Sequence, residues 1–105
     1  MKLVLGRRQS GKTRTLIDMA ERDGLYIICP TQEDCSRVYR EACGMGRDIL
    51  FPIPFSEFVE GRFFAKGVTG FLFDDLHRSL SMWAKGVPIF AASIFTDELE
   101  GISDE

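Results

Sequence analysis

The sequence predicts an α/β domain with three layers, α/β/α, built around a mainly parallel sheet of four to five strands. Short apolar runs alternate along the chain with segments of helical periodicity. The connections between them are short, so successive strands run the same way and the helices cover both faces of the sheet. With 105 residues, 45% of them hydrophobic, the chain holds enough apolar surface for one buried core and is too apolar to stay disordered.

Residues 2–5 (KLVL) form the first strand, and residues 12–22 place Leu16, Ile17, Met19 and Ala20 on one side of a helix. That helix ends at Asp23-Gly24, where glycine takes the left-handed cap. Residues 25–29 read as a buried strand closed by Pro30-Thr31. Thr31 and Asp34 have capping-box spacing, with Asp in place of the usual Glu or Gln, and open a helix over 32–43 that stops at Gly44. The apolar piece 49–54 carries two prolines, which suits an edge strand and not a central one. Ser56 caps a brief helix reaching Phe64, residues 67–70 turn, and Phe71-Leu72-Phe73 is a strand ending in Asp74-Asp75. A helix over 76–85 is stopped by Gly86 and Pro88, and residues 89–95 make a last apolar strand. In this arrangement strand 2–5 is central. Residues 1–96 form one domain, and 97–105 an acidic tail, mobile or bound to a partner.

The net charge of -3 is unevenly placed. The tail holds five acids and no base, leaving 13 bases against 11 acids in residues 1–96. A nearly neutral body argues against a dedicated nonspecific nucleic-acid binder. The three cysteines, Cys29, Cys35 and Cys43, form no C-x-x-C pair and have one histidine, His77, for company, so a zinc site or disulfide framework is not expected. No stretch approaches the roughly 20 apolar residues that cross a bilayer, and the first apolar run stops at Gly6 before Arg7-Arg8, unlike a signal peptide. The expected setting is a reducing cytoplasm in which the thiols are small buried apolar groups.

The chemistry begins after the first strand. Gly6-Arg7-Arg8-Gln9-Ser10-Gly11-Lys12-Thr13 fits G-x-x-x-x-G-K-[ST] at every fixed position, directly between a strand and a helix. Chance would produce such a match in roughly one chain of this length in 300. A loop that wraps a phosphate turns its backbone N–H groups inward, and a side chain at Gly6 or Gly11 would obstruct that turn or the phosphate. The following helix adds partial positive charge at its N-terminus. Lys12 is placed to neutralise the β- and γ-phosphates and the Thr13 hydroxyl to coordinate Mg²⁺. The nucleotide-binding set runs over Gly6, Arg7, Arg8, Gln9, Ser10, Gly11, Lys12, Thr13 and Arg14. Two adjacent carboxylates at the end of an apolar strand are costly to desolvate without a cation. Taken alone, Asp74 or Asp75 reads equally well as the cap of the helix beginning at Leu76; together with the glycine loop, Asp74 is assigned to Mg²⁺ and Asp75 to orienting or deprotonating the attacking water, which makes Lys12 and Asp75 the catalytic pair.

On these residues the chain resembles the P-loop NTPases: Gly6–Thr13 matches their Walker A motif and Phe71–Asp75 their Walker B motif. The paired acids are similar to the branch with an added catalytic carboxylate, which includes RecA-like ATPases and helicases. That branch usually has Glu where this chain has Asp75. The likeness extends more loosely over Ile28-Cys29-Pro30-Thr31-Gln32, Phe51–Glu57 and Ala91-Ala92-Ser93. It implies a P-loop NTPase fold, ATP and Mg²⁺ as ligands, and Ser93 or Thr96 as a γ-phosphate sensor. RecA-like motors commonly receive an arginine from a neighbouring domain or subunit, which implies a protein partner or homo-oligomer. Arg7, Arg8 and Arg78 are local alternatives, although a solvated or salt-bridged surface arginine is the more common explanation of each. No N-K-x-D element marks guanine recognition.

His77 reads as a surface or capping residue, and Leu80, Met82 and Trp83 as packing their helix on the sheet. Phe51, Phe55, Phe58, Phe63 and Phe64 are core or partner surface; the charges among them, Glu57, Glu60, Arg62 and Lys66, are too mixed for a nucleic-acid stripe. Two functions follow. One is Mg²⁺-dependent ATP binding and hydrolysis, coupled to a partner or to DNA. The other is a non-hydrolysing nucleotide-binding module, such as an accessory protein of a phage or mobile element, in which occupancy controls docking.

Overall fold

The computed structural model describes residues 1–6, 11–64 and 67–101. Among them, strands and helices alternate: β1 (Lys2–Leu5), α1 (Lys12–Asp23), β2 (Tyr26–Cys29), α2 (Gln32–Gly44), β3 (Ile53–Pro54), α3 (Phe55–Val59), β4 (Phe71–Phe73), α4 (Leu76–Trp83) and β5 (Glu98–Gly101). Every strand pairing is parallel. The chain is thus a mixed α/β protein with parallel sheets.

Strand β2 organises the core. It lies between β3 and β4, with Ile28 opposite both Ile53 and Phe73. Its side chains alternate between two faces, as the pleat requires. Ile27 and Cys29 pack with Leu16, Ile17 and Ala20 of α1 and Cys35, Val38 and Ala42 of α2. Ile28 packs on the other face with Ile53 and Phe55, among Phe58, Phe63, Phe71 and Phe73. A strand buried on both faces needs a continuous apolar run, and YIIC supplies one.

The helix ends follow local chemistry. Thr31 caps α2 by accepting a hydrogen bond from the Asp34 amide at 3.2 Å, as the spacing predicts. Gly24, at φ 66°, ends α1 in the left-handed conformation. Gly44 is the last residue of α2; the left-handed turn falls at Gly46, where the Arg47 amide reaches back to the Ala42 carbonyl at 2.8 Å. Helix α3 is shorter than expected. It starts after Pro54, without a Ser56 side-chain cap, and is closed by Gly61 at φ 72°, with the Arg62 amide on the Glu57 carbonyl at 2.8 Å.

Three expectations are corrected. First, the strands form two sheets: β3-β2-β4, and a separate pair β1-β5, so β1 is not the centre of a single sheet. Second, residues 89–95 form no strand, and Phe90 and Phe95 stand 95% and 81% exposed. Third, part of the acidic segment is β5. Its pairing places Lys2 beside both Glu98 and Glu100, at 3.3 and 2.7 Å, and the N-terminal ammonium 3.1 Å from Asp97. The β1–β5 pairing is thus accompanied by surface ion pairs between Lys2 and the acids of β5. The rest of the segment, Asp104 and Glu105 included, lies outside the described residues.

The aromatic residues divide. Phe55, Phe58, Phe63, Phe71 and Phe73 form one edge-to-face cluster, with Trp83 5.9 Å from Phe55. Phe51 and Phe64 are exposed. Helix α4 buries Ser79 and leaves Leu80, Met82 and Trp83 substantially exposed, so it lies more loosely on the sheet than its apolar residues predict. Cys29 and Cys35 are buried, Cys43 is exposed, and all three are free thiols. Among the described residues no helix is long and apolar enough to cross a membrane.

Candidate functional site

The first half of the site is the turn from β1 into α1. Beyond Leu5, the Gly6 carbonyl accepts a hydrogen bond from Lys12 Nζ at 2.8 Å. Arg7, Arg8, Gln9 and Ser10 lie outside the described residues. Gly11 then takes the N-cap of α1 at φ 93° and ψ 10°, a left-handed geometry that glycine adopts without steric cost. No acidic residue stands within the first turn of α1 itself. Gly11→Ala is expected to cost about 1–2 kcal/mol through a Cβ in the left-handed region, lowering Tm by several degrees in a thermal melt.

The second half comes from β4. This strand is three residues long, but the Asp74 amide continues the ladder by donating to the Ile28 carbonyl at 2.9 Å. Asp74 is thereby pinned at the C-terminal end of β2, its side chain buried. Thr13, 61 positions earlier, places its hydroxyl 3.2 and 3.3 Å from the two Asp74 carboxylate oxygens. Burial pushes the Asp74 carboxyl above its ordinary range, and the Thr13 hydroxyl and the charge of Arg37 only partly offset it.

A small hard cation fits that donor pair. Magnesium binds oxygen at about 2.0–2.1 Å with octahedral geometry, so neighbouring ligand oxygens stand about 2.9 Å apart. The hydroxyl-to-carboxylate spacing is within a few tenths of an ångström of that edge. Among the described residues no group of three or more His, Cys, Asp or Glu could hold a metal unaided. Magnesium differs from zinc or calcium in this respect, since it commonly takes one or two protein ligands and completes its shell with phosphate and water.

Asp75 is the N-cap residue of α4 yet makes no side-chain capping bond; it is exposed and left-handed, at φ 56° and ψ 53°. For a residue with a Cβ this conformation costs about 1–2 kcal/mol. Gly6, Lys12, Asp74 and Asp75 line one cavity of about 770 Å³, a volume suited to a small ligand. The cavity is bounded by β1 and β4 along its sides and by residues 89–92 and 94.

The sequence-predicted residues therefore separate into two groups. Gly6, Lys12, Asp74 and Asp75 line the one cavity, and Thr13 meets them through its hydrogen bonds to Asp74, while Gly11 and Thr13 themselves do not line it. Arg14 points to solvent on α1 and does not line the cavity. Ser93 is exposed, and Thr96 sits at the opposite end of β1, its hydroxyl 2.7 Å from the Met1 and Glu98 carbonyl oxygens. Thr96 is thereby carried to the start of β1, because the chain after α4 returns there to form β5. His77 lines the cavity, in a position that its sequence context alone does not reveal.

The structure adds a cluster beside Asp74. Asp34, buried in the first turn of α2, accepts hydrogen bonds from Thr31 Oγ1 at 2.7 Å, Arg37 at 3.2 Å and Arg78 at 2.6 Å. Burial works against its charge, but these donors hold its carboxyl below the ordinary range. Arg78 is thus engaged with Asp34. The local signal for Asp34 is a helix cap, and only the fold brings Arg78 to it from 44 positions away. In comparisons with known proteins, the chain matches no family model, no curated protein and no solved structure.

Proposed function

We propose that the chain binds a Mg²⁺-nucleoside triphosphate, ATP, and hydrolyses it as a small P-loop NTPase core acting with a protein partner or a second copy of itself. The observation that carries this reading is the approach of Thr13 to Asp74 across 61 residues, with Asp74 and Lys12 both lining a ligand-sized cavity. Two sequence motifs that each have another explanation, a glycine turn and a helix cap, meet at one point. Such convergence is what Mg²⁺-phosphate chemistry requires and what helix capping does not.

In this site Lys12 exchanges the Gly6 carbonyl for the β- and γ-phosphate oxygens, and the backbone amides at the start of α1 face the same anion. Thr13 and Asp74 would hold Mg²⁺, which supplies charge neutralisation at the phosphate oxygens when bound. Asp75, exposed at the cavity, accepts the proton of the attacking water as the water oxygen bonds to the γ-phosphorus and the bond to the β,γ-bridging oxygen breaks, releasing ADP and phosphate. The expected result for Asp75→Asn is a retained rise in Tm with Mg²⁺-ATP and phosphate release lowered about 10²- to 10⁴-fold, the usual contribution of a general base. Equal loss of binding and turnover would show that Asp75 has no separate role.

One observation favours the reading without turnover. Arg78, the cation nearest the acids in sequence, is held by Asp34, and Thr96 is remote from the loop. Nucleotide occupancy without release fits those two placements, and a partner's arginine restores hydrolysis. Phosphate release assayed with the chain alone and with its co-purifying partner separates the two.

A further inference from the structure

Helix α4 is held at few points. Of its eight residues only Ser79 is buried, and residues 85–95, which follow it, are exposed throughout. Its two ends carry the non-glycine residues that take positive φ among the described residues, Asp75 and Lys85, both at 56°, and Gly86 follows at 84°. Left-handed backbone is unfavourable for a residue with a Cβ and persists only where neighbouring contacts hold it. A turn at either end of α4 therefore relaxes when the helix changes its angle to the chain.

The strongest of the holding contacts lies in the first turn. Arg78 Nη1 donates to Asp34 Oδ2 at 2.6 Å and so ties α4 to α2, while the Thr31 hydroxyl and Arg37 fix the Asp34 carboxylate. Apart from this link, Leu76 packs on the phenylalanine cluster and Trp83 meets Phe55 edge-on at 5.9 Å. The cavity is on another side of the helix, lined by Leu76, His77 and Leu80. At 3.6 residues per turn, Arg78 stands about 150° around α4 from the middle of those three side chains. The ion pair thus pulls on α4 from the side away from the cavity.

We infer that α4 is a hinged wall of the cavity, held back by the Arg78–Asp34 ion pair, and that release of the pair lets α4 swing into the cavity as a rigid unit. Apolar burial drives the swing. The cavity is bounded by Leu3, Val4 and Leu5 of β1, and Leu80 on its α4 side is 39% exposed. Moving the helix inward removes that surface from water. Against it stands a charge-assisted bond to a buried carboxylate, which is of the strong kind. The space between β1 and β4 is then set by a contact with α2, on the far side of α4. The movement requires no particular ligand and stands apart from the nucleotide reading above.

The chain carries the reporters for a test. Trp83, on α4, is its one tryptophan, and Cys43, in the last turn of α2, is exposed while Cys29 and Cys35 are buried. Cys43 of the full chain is labelled with a dansyl group, energy transfer from Trp83 is measured, and amide exchange is followed by NMR. Arg78→Gln is expected to lower the transfer, because α4 moves away from α2. The Ala84 amide, bonded to the Leu80 carbonyl at 2.9 Å, is expected to exchange within about threefold of its wild-type rate, because a rigid swing keeps the bonds internal to the helix. Arg78→Lys retains the charge and is expected to recover part of the transfer. If Arg78→Gln does not fold, Arg78→Met, which keeps the aliphatic stem without the charge, carries the same test. Transfer that is unchanged or raised in the folded variant overturns the inference. So does a fall accompanied by faster exchange at Ala84 than that, which is unwinding of α4 and not movement, and so does Arg78→Lys with transfer no higher than in the uncharged variant.

Discussion

Lys12→Ala is expected to abolish the response to nucleotide, removing the Tm rise with Mg²⁺-ATP and lowering phosphate release at least 10³-fold. The size of the effect comes from where the ammonium sits. Lys12 is the first residue of α1, its Nζ is 2.8 Å from the Gly6 carbonyl, and it lines the cavity with Asp74 and Asp75. A triphosphate entering there meets two carboxylates, and Mg²⁺ offsets only part of the resulting negative charge. Removing the lysine leaves phosphate oxygens facing acids with one cation fewer, in a cavity where solvent screens less than in bulk. A ligand bound by the native state alone stabilises it by about 2.7 kcal/mol at a hundredfold excess over Kd, several degrees for a chain of this size. The difference between wild type and variant in a melt with Mg²⁺-ATP is therefore large against experimental error.

Asp74→Asn is expected to act in opposite directions on stability and on function. The folded-state carboxyl is pushed above its ordinary range, chiefly by burial. The sign follows from linkage: when the native pKa lies above the unfolded one, the native state binds the proton more tightly, so stability falls as pH rises between the two values. At neutral pH the ionised Asp74 is a net cost to the apoprotein. Asparagine keeps the shape and an oxygen for the Thr13 hydroxyl while removing that charge. The variant should melt a few degrees higher than the wild type at pH 7, about 1 kcal/mol, the usual gain from relieving a functional group. The gain should shrink as pH falls and the wild-type carboxyl is protonated. The same change removes the charge that holds Mg²⁺, so the metal-dependent part of the ATP response should disappear. A variant less stable at every pH would mean that the carboxylate is structural.

Much of this protein can be read from its sequence because much of it is local. Tyr26–Cys29 is apolar at every position, as a strand buried on both faces must be, and α1 and α2 carry apolar stripes whose ends match Gly24 and Thr31. The glycine-lysine-threonine run and the acid pair stand out in the sequence as ordered residue types, and the fold brings Thr13 to Asp74. The misread parts depend on pairing partners distant in the chain. Residues 89–95 have the composition of a strand, but composition does not provide an edge to pair with. Glu98–Gly101 looks like a solvated tail until Lys2 and the N-terminal ammonium are placed beside it. Asp34 is legible as a cap through Thr31, whereas its bond to Arg78 depends on α4 packing near the start of α2. The same nonlocal returning path carries Thr96 away from the loop that its sequence order suggests.

The most direct measurement is a crystal structure of the protein grown with Mg²⁺ and a non-hydrolysable ATP analogue. The account predicts the triphosphate at the start of α1 with Lys12 Nζ on its terminal oxygens, and one cation about 2.1 Å from Thr13 Oγ1, bound to Asp74 directly or through a single water. A nucleotide bound elsewhere, or a cation that touches neither Thr13 nor the Asp74 shell, would contradict it.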